Sequence, residues 1–461
     1  MNFIASVFIL LGFVAQVRCL SRDQINGIVV SYYSGNQYLD AGTLEISESY
    51  QAKALEATLD ALADVGGKNS KHVENYFVAA CIYFATNGVS NLATLADLGG
   101  DASPDNWTNE DGWMTGTDYC NWHGIKCHNE LIVDQNTRDE QEADERIIDI
   151  NLQNNMISGQ WPHEVGILGD HIINIDLRDN QYAECLEYSW FSSMNKLQYF
   201  FIGGTAWEAD GIPAELRFLT ELVQFDASYS HWSEGPMRSS AFQGLNRLEY
   251  VKLDNNIYVV NTEQDAFEPF TRLPSLIRLY LENVRFEDDS EDIIRPSLEF
   301  LTECGNIIEA WFDRTPLSGG LPNNLPASLK SLSLSYCGLS GNLTPLLNTA
   351  ASLNRAWLNH NDFSGPIPDG IATKHNGLKY LYLEGNNFSS QVPQAFCSLL
   401  TTNGGTLVGM GAREVECDSG CCTCSDDVCG NTNDVIPTAA PTAETTFVIC
   451  FSGSSTVEVE N

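Results

Sequence analysis

Basic side chains are scarce in this chain. Its 461 residues carry 24 Lys and Arg against 61 Asp and Glu, a formal charge of −37. A surface of that sign repels phosphate backbones and anionic headgroups, so nucleic acid and acidic membrane are excluded as partners. Long apolar runs are scarce too. Phe3 to Ala15 is uncharged and apolar but short for a bilayer, and no later stretch approaches the length of a membrane span. With the small residues Val17 and Cys19 at the −3 and −1 positions, residues 1–19 read as a secretory signal, a signal anchor being the alternative. Catalytic signatures are missing. There is no G-x-S-x-G, H-E-x-x-H, P-loop or G-x-G-x-x-G, and no two of the eight histidines stand four apart. No enzymatic activity and no cofactor are therefore expected. The many carboxylates read as solubility rather than as a glycosidase-like pair.

What the chain does have is a repeat. The frame apolar-x-x-apolar-x-apolar-x-x-polar-x-apolar recurs ten times between Arg146 and Leu400. A clear copy is Leu378, Leu381, Leu383, Asn386, Phe388; others are Ile147, Ile150, Leu152, Asn155, Ile157 and Ile172, Ile175, Leu177, Asn180, Tyr182. The fourth positions fall at 150, 175, 200, 225, 251, 279, 310, 332, 356 and 381. A period near 25 residues is the mark of a solenoid. Each x-apolar-x-apolar-x segment is a short strand with one apolar face. One such strand cannot bury itself, so the copies must stack into a parallel sheet. The polar position that follows holds Asn155, Asn180, Asn256, Asn361 and Asn386, with Thr205, Ser230, Thr315 and Cys337 as variants. Turned inward, these side chains would satisfy backbone groups of the adjoining turn. Val284 interrupts this ladder, so an irregular stack is expected there.

Several repeats run on as Leu317-Ser318-Gly319-Gly320-Leu321-Pro322 or Phe363-Ser364-Gly365-Pro366-Ile367-Pro368. This resembles the plant-type extracellular leucine-rich repeat, L-S-G-x-I-P. Trp113 and Cys120-Asn121-Trp122-His123-Gly124-Ile125-Lys126-Cys127 resemble the N-terminal cap of that class. Tyr83-Phe84-Ala85-Thr86-Asn87-Gly88 and the cluster Cys417, Cys421, Cys422, Cys424 further resemble secreted leucine-rich-repeat proteins of diatoms and other stramenopiles. The resemblance implies an α/β solenoid, a leucine-rich-repeat horseshoe with a parallel β-sheet on its concave face, an N-terminal helical cap and a Cys-rich C-terminal cap. It also implies pattern recognition or adhesion as a purpose.

The expected organisation is a signal peptide over 1–19, a helical region and cap over 20–145, ten repeats over 146–400, a Cys-rich cap over 401–430 and a flexible tail over 431–461. Within the helical region, Ala52–Leu62 and Tyr76–Phe84 carry the helical spacing. Cys120 and Cys127 are expected to pair as a disulfide. Cys397, Cys417, Cys421, Cys422, Cys424 and Cys429 read as disulfides, with a metal cluster as the alternative. Cys81 and Cys337 are expected to be free thiols. Asn106, Asn342 and Asn387 head glycosylation sequons.

The concave centre lies between the two strand apolar positions. In order it is Asn151, Asp176, Phe201, Asp226, Lys252, Tyr280, Trp311, Ser333, Trp357 and Tyr382. The expected ligand-binding set is Tyr280, Trp311, Trp357 and Tyr382, bordered by Arg314, Arg355 and His360, with Ser333 leaving a gap. Aromatics beside arginines suit recognition, although aromatics also favour cross-strand pairing for its own sake. The chain is thus read as a secreted, non-catalytic recognition module for an extracellular protein, peptide or glycan. The alternatives are an inhibitor of a cell-wall-degrading enzyme and a structural matrix or ice-surface component. A varied, aromatic concave face fits poorly with ice.

Overall fold

The computed structural model describes residues 20–35, 39–47, 49–63, 69–86, 107–115, 118–128, 145–181, 188–205, 211–230, 235–348, 352–389, 393–396 and 409–411. The signal segment, Asn106, the C-terminal cysteines from Cys397 onward and the tail lie outside them.

The chain folds as a leucine-rich-repeat solenoid. One twelve-stranded sheet runs along it, and ten of its strands are the repeat strands from Arg146–Asn151 to Tyr380–Tyr382. Neighbours are parallel, and the register joins the ten fourth positions in one row: Ile150, Ile175, Phe200, Phe225, Val251, Leu279, Ala310, Leu332, Ala356, Leu381. All ten are buried. At the N-terminal edge the strand Ile125–His128 adds antiparallel, and at the other edge Gly409–Gly411 adds parallel. That last strand falls in the stretch assigned from sequence to the Cys-rich cap.

The inward polar ladder forms. The Asn180 amide donates to the Leu152 and Leu177 carbonyls at 2.8 Å, and its oxygen accepts from the N–H groups of Asn155 and Ile157. Asn361 repeats the arrangement with Leu334, Leu358, Cys337 and Leu339. Left bare, such buried backbone groups would each cost about 1–3 kcal/mol. Val284 does not break the concave sheet. Thr315 substitutes from the next turn, its hydroxyl accepting from the Val284 N–H at 3.0 Å. The irregularity is on the return side. There the longest repeats build a second sheet, in the order Ile293–Ile294, Arg285–Glu287, Ile257–Val259, Gly235–Pro236. A third, Ser340–Gly341, Asp362–Gly365 and Asn387–Phe388, covers the last repeats. Between these two sheets the described returns are joined by the bridge Ser297–Ser318 and a bond from the Ser340 N–H to the Gly319 carbonyl, rather than by a sheet of their own.

Three helices close the N-terminal end: α1 (Arg22–Gly35), α2 (Tyr50–Leu62) and α3 (Ser70–Thr86). The Ser49 hydroxyl caps α2 by accepting from the Ala52 N–H, and Leu55, Leu59 and Leu62 form its buried stripe. Helix α3 is buried on nearly every face because α1, α2 and the first return surround it. The buried Glu164 of that return accepts from the Tyr33 and Tyr50 hydroxyls. The Asn75 side chain accepts from the Ile147 N–H and so completes the first repeat strand. Both helices read from sequence are present, each longer at its start; α1 adds a third, with Ile25, Val29 and Tyr33 as its buried stripe. Cys120 and Cys127 are joined by a disulfide, with Trp122 buried beside it against Trp113 and Tyr76. Cys81, Cys304 and Cys337 are buried free thiols. No described helix is long and apolar enough to cross a membrane.

Candidate ligand-binding face

Strand alternation sends the residue between two buried positions outward. Register then stacks these residues in one column, from Asn151 through Lys252 to Tyr280, Trp311, Ser333, Trp357 and Tyr382. Tyr280, Trp311, Trp357 and Tyr382 all lie in this column and are half-buried there. Their rings form a continuous file. Tyr250 lies 5.3 Å from Tyr280, Tyr280 5.9 Å from Trp311, Trp311 5.3 Å from Trp357, and Trp357 6.3 Å from Tyr382 at an interplanar angle of 4°.

The expected gap at Ser333 is absent. Trp311 and Trp357 stand two strands apart, about 9.6 Å at the usual strand spacing. Their rings nevertheless approach to 5.3 Å, so they lean together over Ser333 and bury it. Beneath them the Ser333 hydroxyl lies 2.7 Å from both oxygens of the Asp313 carboxylate. Cross-strand packing and an exposed ring surface thus coexist in the same side chains. Truncating either tryptophan would uncover Ser333, so these rings contribute to stability as well.

The three bordering residues lie on two sides of the file. Arg355 is on its strand beside Tyr380, with the guanidinium 5.9 Å from that ring. Arg314 and His360 occupy a rim just past the strands. Tyr336 sits between them. The Arg314 guanidinium is 5.8 Å from the Tyr336 ring, which stacks on His360 at 4.2 Å and 13°. Neither Arg314 nor Arg355 forms an ion pair among the described residues.

The rim has a special backbone. In all ten repeats the third residue past the column centre adopts positive φ: Asn154, Asp179, Gly204, Tyr229, Asn255, Asn283, Arg314, Tyr336, His360 and Gly385, at 51–69°. Glycine, Asn and Asp tolerate this region, whereas other residues are disfavoured there by about 1–2 kcal/mol. Six repeats use the tolerant types. Arg314, Tyr336 and His360 are three consecutive exceptions, and Tyr229 is an isolated fourth. Gly385 follows them, and a Cβ there would fall 2.4 Å from the His360 Nδ1, so glycine leaves room for that ring.

A carboxylate ladder flanks the file on the rim side. Asp254, Glu282 and Asp313 hold one register position in successive repeats, two residues past the centre. Burial, with Asp254 and Asp313 beside it, pushes the Glu282 carboxyl up to about 7. Burial raises Asp254 to about 6 against the bond from the Glu282 N–H, and raises Asp313 likewise. Sequence reading passed over this ladder, although its spacing was there to be counted.

Asn342 and Asn387 are exposed on the return side, at the end of Ser340–Gly341 and the start of Asn387–Phe388, away from the file. A shallow recess of about 490 Å³ at the N-terminal end is lined by His123, Lys126, Asn151 and Gln153. Ligand atoms of Asp118, Cys120 and Glu145 come within 4.8 Å of one another. The Cys120 sulfur is in the disulfide, however, and Glu145 is already bound to His72 at 2.9 Å.

A Leucine Rich Repeat family model matches residues 377–399, a single repeat. No curated protein matches the chain. Among solved structures it is similar to a plant ice-binding protein, at 20% identity and a TM-score of 0.50, over 68% of this chain and 94% of that one. It is also similar to PEPR1 in its complex with AtPEP1, at 19% identity and a TM-score of 0.46, over 65% and 44%. A third is the Arabidopsis receptor kinase HAESA in complex with the peptide hormone IDA and the co-receptor SERK1, at 17% identity and a TM-score of 0.40, over 69% and 61%. The chain therefore spans about half the length of these receptor chains. Likeness at this level of identity concerns the fold.

Proposed function

We propose that this chain is a secreted, non-catalytic recognition module that binds an extracellular glycan, peptide or protein on the C-terminal half of its concave face. The observation that carries the reading is the file of half-exposed rings from Tyr250 to Tyr382, bordered by arginines that form no ion pair among the described residues. In a chain with 61 acids and 24 basic residues, an arginine is readily matched by a carboxylate. Tyrosine, tryptophan and arginine are the residue types enriched at recognition hot spots, and rings also stack on sugars. Glycans on Asn342 and Asn387 would leave this face open.

The test is a binding screen of the secreted protein against extracellular oligosaccharides, peptides and secreted proteins. It is repeated with Trp357→Ala and with Phe201→Ala, which lies in the same column outside the aromatic half. Loss of the captured ligand with Trp357→Ala alone supports the reading. Equal capture by both variants moves recognition off this face.

A further inference from the structure

The rim residues and the file differ in one respect. Rings on a sheet need no special explanation, because aromatics pack well across strands. Arg314, Tyr336 and His360 have no such justification. They are exposed, and each holds a left-handed backbone that Asn, Asp or Gly fills in six of the other seven repeats. Arg314 and Tyr336 thus carry a conformational penalty, and His360, a type found more often in this region, a smaller one, for side chains that add nothing to the core. Backbone strain kept at a surface, in adjoining positions, points to selection for contact.

Resting on the recognition reading above, we infer that the stack Arg314–Tyr336–His360, with Arg355 across the file, holds a carboxylate-bearing oligosaccharide. The charge argument is local. The surface is acidic, and Glu282 and Asp313 act on Arg314 from the rim side, but burial disfavours their charged forms. Arg314 and Arg355 face the ring file from opposite sides without an ion pair among the described residues. A planar guanidinium binds a carboxylate through two parallel N–H bonds, and the His360 ring can add another contact. The shape argument is the order of the rings. Trp357 and Tyr382 are parallel within 4°, and Tyr336 and His360 stack within 13°, so the ligand meets two ordered rows of rings, with open faces only at the ends of each stack. The strands between them are interior to the sheet, so an added peptide strand finds no free edge. From Tyr280 to Tyr382 the file crosses five strands, roughly 20 Å, which suits about four or five sugar units.

The experiment compares a uronic acid pentamer with the same pentamer methyl-esterified at its carboxyl groups. Each is titrated against the whole secreted chain, against Trp357→Ala and against the triple variant Arg314→Asn, Tyr336→Asn, His360→Asn. Asparagine already occupies this rim position at Asn154, Asn255 and Asn283, so the triple variant keeps a native backbone choice. The expected result is binding of the acid form at least about tenfold tighter than the ester, weakened by salt. The triple variant should lose about tenfold or more for the acid, with a melting temperature unchanged or higher. Equal binding of acid and ester, or of wild type and triple variant, overturns the inference. So does a marked fall in melting temperature, which would assign the rim to the fold. If neither pentamer binds, but a ligand from the screen is lost with Trp357→Ala, the recognition reading stands and this inference falls.

Discussion

The two halves of the concave face are built on one frame and finished differently. In the N-terminal half the outward groups satisfy one another. Arg178 pairs with Asp176 at 2.7 Å and lies over Phe201, Lys126 pairs with Asp149, the Asn174 amide donates to Asp149, and the Ser228 hydroxyl donates to Asp226. Its rim is Asn154, Asp179, Gly204, Tyr229 and Asn255. In the C-terminal half the rings are half-exposed, two arginines lack an ion pair among the described residues, and the rim carries Arg314, Tyr336 and His360 in left-handed backbone. Apart from Tyr229, the first half follows the fold's own preferences. The second departs from them in adjacent repeats, the kind of place where a functional or strained site is sought.

Breaking the shared frame should treat both halves alike. Ile175→Asp and Leu383→Asp each place an unpaired charge at a fully buried site, so each should cost about 3–5 kcal/mol and sharply lower the yield of folded protein. Thermal melting and folded yield read this out, and tolerance in one half would mean that the frame is misplaced there. Opening the cap should separate the halves. Replacing Cys120 and Cys127 by Ser should cost about 2–3 kcal/mol, because the disulfide closes a short loop. In a solenoid that loss stays near its origin. Hydrogen exchange should therefore rise in Arg146–Asn151 and remain unchanged in Tyr380–Tyr382.

The comparison sharpens at the aromatic file. Trp311→Ala should weaken ligand binding by about 2 kcal/mol or more. Its contact with Trp357 adds a stability loss of about 1 kcal/mol, measured by denaturant unfolding. Phe201→Ala, in the same column, should leave binding unchanged. The same face should also show a pH dependence, set by the carboxylate ladder. Glu282 and Asp254 titrate higher in the folded chain than ordinary carboxyls do. Their contribution to stability is complete below pH 4 and is lost as pH rises through about 6 to 7. The melting temperature should climb as pH falls from 7.5 toward 5. Glu282→Gln should raise it at pH 7.5 and flatten that slope; an unchanged slope would remove Glu282 from the cause.

The repeat frame was legible because burial alternates with period two and recurs near period 25, so each fourth position follows from counting along the chain. The column Tyr280, Trp311, Trp357, Tyr382 followed from the same count. What the count could not give was how side chains lean. Nothing in the sequence says that Trp311 and Trp357 close over Ser333, because that depends on two rotamers across an intervening strand. The left-handed rim was hidden for a related reason. Asn and Gly signal positive φ, but Arg314, Tyr336 and His360 do not, and their conformation is imposed by the turns on either side. The return-side sheets were obscured by the irregular lengths of the repeats that build them.

Those return-side sheets set how the molecule comes apart. An array of repeats unfolds as a front that advances from turn to turn, and the strength of each junction decides where it halts. Junctions from Gly235 to Ile294 are paired on both surfaces, and so are those from Ser340 to Phe388. The turn bearing Trp311 and Arg314 lies between these doubly sewn blocks, joined on its outer side by the Ser297–Ser318 bridge and the Ser340–Gly319 bond. The N-terminal repeats, joined on that side by the Ser158–Gln181 bridge, should yield first under a pull on the ends, and the two sewn blocks should then give separate force steps with the parting line at that turn. An occupant lying across Tyr280 to Tyr382 would splint the seam and merge them into one.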